Sequence, residues 1–382
     1  MAHRNQWTVL VFMNAANDLD PFSLTNMNQM ERLPANSDVK IVVQWKQSLE
    51  VNSFATFDGT RRYLIRHDST SAINSRLLQD MGKGVDMGSP QTLTDFISYG
   101  MRNFPADHYC LVMWNHGNGW KRRGGEDDEI TRGISYDGET GHHIDTWQLA
   151  DALGTQPIDI LAWDASLMQQ VEVGTELTGK VKYMVGSEDS PPGAGYPYDF
   201  IFSEMATNPL ITAREAADQI VTQTVDYYSN QPQLRISQSV VDVDQLTVLD
   251  AKLDQLADAL IDNVNDLQSI IPQVRDTAQA YKEDAGLNRH FRDVGDVCVN
   301  LESLTSIPEV LSASQDVRTA LSSAVLTEGH NAQSSGSHGL SIDFSSGAQF
   351  TAGSPPDRPI DLYANLRFAV ATHWDEWLTI AP

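Results

Sequence analysis

A chain of 382 residues with 41% hydrophobic and 20% charged positions has enough apolar side chain for one large or two modest folded domains, which excludes intrinsic disorder over most of its length. With 51 Asp and Glu against 26 Lys and Arg the formal net charge is −25, so a phosphate backbone or an anionic membrane would be repelled, and neither nucleic acid nor membrane is expected as a partner. Two cysteines leave no disulfide framework, and no apolar run approaches about 18 residues, so a soluble, cytoplasmic chain without an export signal is expected.

The first apolar run, residues 7–13, is too short to cross a membrane and reads as a core strand. Similar runs follow at 39–45, 109–114, 158–163 and 181–185, with 61–66 as an added strand or hairpin. Such near-continuous apolar strands need cover on both faces, and helical stretches at 91–103 and 167–178 leave room for crossovers. A mainly parallel α/β sheet is the natural assembly. From about Thr212 the pattern turns helical, at 213–228, 245–267 and 274–281, interrupted by a strand-like run at 234–243. Leu340, Ile342 and Phe344 alternate in a late strand, and 361–378 reads as a closing amphipathic helix. This divides the chain into an α/β catalytic domain, 1–210, and a helix-rich region, 211–382, that also lends strands to the core.

In open α/β sheets the chemistry gathers at the carboxyl ends of the strands. One such end delivers His116 within NHGNGW, where glycines let backbone approach a ligand closely; another delivers Ser166 within DASLM, where a helix is expected to begin. A histidine followed about fifty residues later by a nucleophile is the order and spacing of caspase-type peptidases.

At these blocks, HGNGW and DASLMQQVEV, the chain resembles the clostripain-like cysteine peptidases of the caspase/gingipain clan. The resemblance extends to WTVLVFMNAANDLD, ISYDGETG, GSEDSPPGAGYPYDF and HGLSIDF, in the right order over most of the chain. It implies a caspase-like α/β fold with a smaller C-terminal domain, and endopeptidase cleavage after Arg or Lys. His116 would be the general base and acid, residue 166 the nucleophile, and the backbone N–H groups of Gly117 and residue 166 the oxyanion hole, the latter favoured by a nearby helix N-terminus. Asp164 would meet the basic side chain of the substrate, with a helix N-cap as its structural alternative; Asp189 would add a pocket wall, or else form a turn.

One position departs from the resemblance: Ser166 stands where cysteine is expected. A thiol of pKa about 8.5 can be tuned until thiolate is present, whereas a hydroxyl needs strong help from an oriented histidine, and a caspase-type dyad lacks the usual third group. The chain as written is therefore expected to be nearly inactive. The serine is read as an engineered Cys-to-Ser change that traps an uncleaved or substrate-bound state. A natural pseudo-peptidase that holds peptides as a scaffold and a working serine form are the alternatives.

Lys121, Arg122, Arg123 and Arg132 form an exposed basic patch between the two catalytic blocks, where self-cleavage or an upstream activating protease would cut a zymogen, as in a bacterial stress or defence cascade. His142, His143 and Asp145 read as structural rather than metal-binding. The chemistry requires no cofactor. Calcium enters only through the resemblance, since the sequence has no D-x-D-x-D-G loop.

Overall fold

The computed structural model describes residues 4–121, 133–281 and 290–382. Nine strands form one sheet: β1 (Asn5–Asn14), β2 (Val39–Gln47), β3 (Gly59–Leu64), β4 (Arg76–Gly82), β5 (Ala106–Trp114), β6 (Ile158–Asp164), β7 (Val181–Gly186), β8 (Ser237–Asp242) and, after the three-residue β9 (Phe291–Asp293), β10 (Val325–His330). Their spatial order is β10-β8-β7-β6-β5-β1-β2-β3-β4. The five central strands, β2, β1, β5, β6 and β7, run parallel, as continuous apolar runs require; both edges are antiparallel, so the sheet is mixed rather than uniformly parallel. A separate antiparallel pair joins β9 to β11 (Ser341–Asp343).

Alternation along the central strands divides the core into two layers. Trp7, Val9, Val11 and Met13 of β1, with Cys110, Val112 and Trp114 of β5, face the helices Asp20–Arg32 and Ala213–Tyr228. Leu10 and Phe12, Leu111 and Met113, and Leu161 and Trp163 face the opposite layer, where Pro90–Asn103, Leu246–Asp262, Val294–Leu304, Pro308–Ala324 and Trp374–Ile380 pack. Burying each such side chain contributes about 1.5–3 kcal/mol. The strands β8 and β10, from the C-terminal half, extend the same sheet beyond β7.

Three expectations change. The helix expected at 167–178 is only Val171–Glu176, because Leu167 is left-handed at φ +65° and Gln170, just before the helix, is extended. The closing helix at 361–378 is three short ones, Pro359–Tyr363, Arg367–Ala371 and Trp374–Ile380, because Leu366 and Thr372 are extended. The helices at 245–267 and 274–281 are Leu246–Asp262 and Ile270–Thr277.

Candidate active site

The carboxyl ends of β1, β5 and β6 lie side by side. Met13 pairs with Trp114, and Trp114 with Asp164; the ladder continues as Asn115 N–H donates to the Asp164 carbonyl at 3.2 Å. Two residues past each paired position come His116 and Ser166, so strand register alone brings them together. Asn115 fixes this corner. Its amide donates to the carbonyls of Asn14 at 2.5 Å and Tyr136 at 3.1 Å, while its Oδ1 accepts from the His116 and Tyr136 N–H groups.

The two sequence blocks interlock through glycine. A Cβ on Gly117 would stand 2.4 Å from the Ser166 carbonyl oxygen, so only glycine lets this backbone touch the nucleophile segment. Gly119, at φ +59°, approaches Gln170 in the same way, and Gln170 Oε1 accepts the Trp120 N–H at 2.9 Å. Among the described residues neither the Gly117 nor the Ser166 N–H has a hydrogen-bond acceptor in the protein.

Ser166 sits at a sharp turn. Leu167 adopts φ +65°, a left-handed conformation costly for a branched side chain, and is held there by complete burial and by its N–H donating to the Asp189 carbonyl at 3.1 Å. The Ser190 hydroxyl donates to Ser166 Oγ at 2.8 Å. The helix follows only at Val171, so the expected favourable helix N-terminus at residue 166 is absent. Asp164 correspondingly does not cap a helix.

His116 Nε2 lies 2.7 Å from Asp18 Oδ1, in the turn that follows β1. This overturns the expectation that the histidine lacks a third orienting group. Strand adjacency produces the contact: β1 neighbours β5, a fact that the sequence does not state.

Asp164 is 7% exposed; its carboxylate accepts the Tyr198 hydroxyl at 2.8 Å and the Tyr196 N–H at 3.1 Å. Burial outweighs these bonds and pushes the carboxyl up to about 7. Gly195 packs directly on it, where any Cβ would stand 2.5 Å from Oδ1. Asp189 is also buried, but its Oδ2 meets Arg235 Nε at 3.0 Å and its Oδ1 accepts the Ser190 N–H at 2.8 Å, so an internal cation balances its charge. The functional candidates that sequence reasoning missed are Asp18, Ser190, Tyr196 and Tyr198.

Lys121 is not part of an exposed basic patch: its side chain is 11% exposed, and Nζ pairs with buried Asp343 at 2.9 Å beside the Trp120 and Phe291 rings. Arg122, Arg123 and Arg132 lie outside the described residues. His142 pairs with Asp86 at 2.6 Å and His143 with Asp145 at 3.1 Å. Among the described residues the one trio spaced for a metal is Asp254, Asp258 and His373, which is largely exposed. An imidazole in so small a set suits calcium poorly, since that ion takes six to eight oxygens.

The chain resembles solved C11 protease structures along nearly its whole length. An inactive zymogen from Parabacteroides distasonis matches with a TM-score of 0.69 at 18% identity, over 97% of this chain and 99% of that one. A secreted cysteine protease from Bacteroides thetaiotaomicron, in complex with an irreversible peptide inhibitor, matches with a TM-score of 0.67 at 16% identity, over 97% and 99%. These likenesses establish the fold. Clostripain of Hathewaya histolytica is 25% identical over 224 residues, which is 52% of this chain and 42% of that protein, well under two thirds of its length. The sequence profile of the clostripain family, peptidase C11, matches residues 11–379, and with the register of β5 and β6 bringing its two characteristic blocks together, the chain belongs to the clostripain family.

Proposed function

We propose that this protein hydrolyses peptide bonds after Arg or Lys, with residue 166 as nucleophile and His116 as general base and acid. The observation that carries the reading is the meeting of His116, Gly117 and Ser166 at the neighbouring ends of β5 and β6. Two N–H groups there, from Gly117 and Ser166, would receive the oxyanion. The chain itself supplies nucleophile, proton carrier and oxyanion donors, so the chemistry needs no cofactor.

Asp164 would form the floor of the pocket for the substrate's basic side chain. An arriving guanidinium would draw the carboxyl, held at about 7 in the empty site, to its ionised state, giving a charge-assisted pair in a desolvated setting. Asp189, already balanced by Arg235, would shape the wall rather than supply the charge. Cleavage near Arg122, Arg123 or Arg132, by the protein itself or an upstream protease, would convert a zymogen; Lys121 is held by Asp343. Action inside the cell fits a peptidase restrained in this way.

With serine at position 166 turnover would fall far below that of a thiol form. In the test, Ser166→Cys hydrolyses Arg- and Lys-ended fluorogenic peptides, and a further His116→Ala change abolishes this. If the cysteine form stays silent on basic substrates, including after limited proteolysis, the peptidase reading falls and a peptide-holding scaffold takes its place.

A further inference from the structure

We propose that Ser166 is a working nucleophile and that Asp18, His116 and Ser166 form a serine-hydrolase triad on this fold. The inference rests on the foregoing placement of His116 and residue 166 at neighbouring strand ends, where among the described residues Ser166 Oγ bonds to Ser190 rather than to the imidazole, and it adds a chemistry that the cysteine reading does not contain.

Three observations converge. The first is Asp18, whose Oδ1 lies 2.7 Å from His116 Nε2. Its side chain is 63% exposed, and an exposed pair of this kind contributes little to the stability of a fold. What it does supply is orientation: a proton fixed on Nε2 leaves Nδ1 as the basic nitrogen, the requirement that a hydroxyl nucleophile imposes and a ready-made thiolate does not. The second is the Ser190 hydroxyl, which donates to Ser166 Oγ at 2.8 Å. A hydrogen bond of that sense stabilises a developing alkoxide, and sulfur would accept it only weakly. The third is the left-handed Leu167, which turns the chain sharply just after Ser166 and presents the hydroxyl at the tip of a strained elbow.

The reaction balances on groups of this chain and one water. His116 Nδ1 takes the Oγ proton as Oγ bonds to the substrate carbonyl carbon, and the carbonyl electron pair moves onto oxygen, facing the Gly117 and Ser166 N–H groups. The C–N bond then breaks, and the proton passes from Nδ1 to the leaving amine. Water attacks the resulting ester and gives one proton to Nδ1. As the ester C–O bond breaks, that proton returns to Oγ and the carboxylic acid departs. Throughout, the Nε2–H donates to Asp18, whose charge stabilises the transient imidazolium. Asp18 is thus a positioning residue.

Diisopropyl fluorophosphate, which phosphorylates activated serine hydroxyls with loss of fluoride, tests this directly. The chain as written, both intact and nicked by a metalloprotease, is treated, and the peptide bearing residue 166 is weighed. A diisopropylphosphoryl group on Ser166, absent from Ser166→Ala, is expected. Asp18→Asn should slow the labelling by about 10-fold or more with an unchanged Tm, and Asp18→Glu should restore part of the rate. In a Ser166→Cys background the same Asp18→Asn change should cost less, because a thiolate relies less on the base. No adduct in either sample overturns the proposal, and labelling equally fast in Asp18→Asn overturns the role of Asp18. The peptidase reading is judged separately. If Ser166→Cys cleaves basic peptides while Ser166 takes no adduct, only the serine chemistry falls. If the adduct forms and the cysteine form ignores basic peptides, only the specificity falls.

Discussion

Replacing Asp164 by Asn keeps the shape of the group and one acceptor for the Tyr198 hydroxyl, but removes the capacity to ionise. In the parent, burial lifts the carboxyl from 3.8 to about 7, which corresponds to roughly 4 kcal/mol against the charged form, an upper bound for the cost of that charge in the empty site. The sign follows from proton counting. Between about pH 4 and 7 the folded protein holds the Asp164 proton while the unfolded chain, with an ordinary carboxylate, has lost it. This group's contribution to stability therefore falls as pH rises through that window and levels off above 7. Asp164→Asn should escape the loss and gain about 1–4 kcal/mol on the parent at pH 8 relative to pH 4, read from urea unfolding at the two values. The same change should remove recognition of the substrate cation. In a Ser166→Cys background the preference for Arg over Gln in kcat/KM should drop by about 10–100-fold, as expected from losing a charge-assisted bond of about 1.5–3 kcal/mol. For the unmutated pocket, KM for an Arg peptide should rise as pH falls below 7. If Asp164→Asn brings neither a pH-dependent gain nor a loss of Arg preference, the buried-carboxyl argument is wrong and the pocket charge must be sought at Asp189.

Gly117→Ala should abolish labelling and turnover and also lower the melting temperature, since its methyl group would press on the Ser166 backbone carbonyl at 2.4 Å and force it to shift; a fully active, equally stable alanine form would disprove the close approach. Lys46→Met should cost about 3–5 kcal/mol in denaturant unfolding, because fully buried Lys46 pairs with Asp137 at 2.8 Å and Glu139 at 2.6 Å, and both carboxylates would lose their cation; a neutral effect would show that this pairing does not hold the fold. On denaturing gels, Ser166→Cys should accumulate as two fragments cut between residues 121 and 132, and changing Arg122, Arg123 and Arg132 to Ala should keep it whole, with Lys121 adding little. Continued cutting in the triple variant would move the processing site elsewhere.

What the sequence reveals here follows from which residues act through the sheet. Parallel strands buried on both faces announce themselves as apolar runs, and their last residues name His116, Asp164 and Ser166 without help from packing. Asp18 is invisible for the opposite reason. It lies in a polar turn, and nothing in its neighbourhood says that β1 settles against β5. The helix Asp20–Arg32 hides similarly, because Ser23, Asn26, Gln29 and Glu31 are buried in hydrogen bonds and the apolar period is lost. Lys121 reads as a solvated cation, and only the fold brings Asp343 to it from the far end of the chain. Along 361–378 the buried Tyr363, Phe368, Trp374 and Trp377 imitate one amphipathic helix, although they belong to three separate turns.

The β5–β6 ladder runs through the middle of the sheet, whereas the connection between these strands passes through the segment proposed for cleavage. A cut there leaves the folded mass in one piece, yet it assigns Asp18 and His116 to one polypeptide and Ser166 with Asp164 to another. The mature site would then be a heterodimer in miniature, its two parts joined by backbone pairing of Cys110 to Trp114 with Ile160 to Asp164. Separately expressed fragments would have to find each other before chemistry could begin, so activity would depend on the square of concentration when both are dilute and equal. Halves made apart would therefore carry a dilution switch that a chain cut after folding lacks.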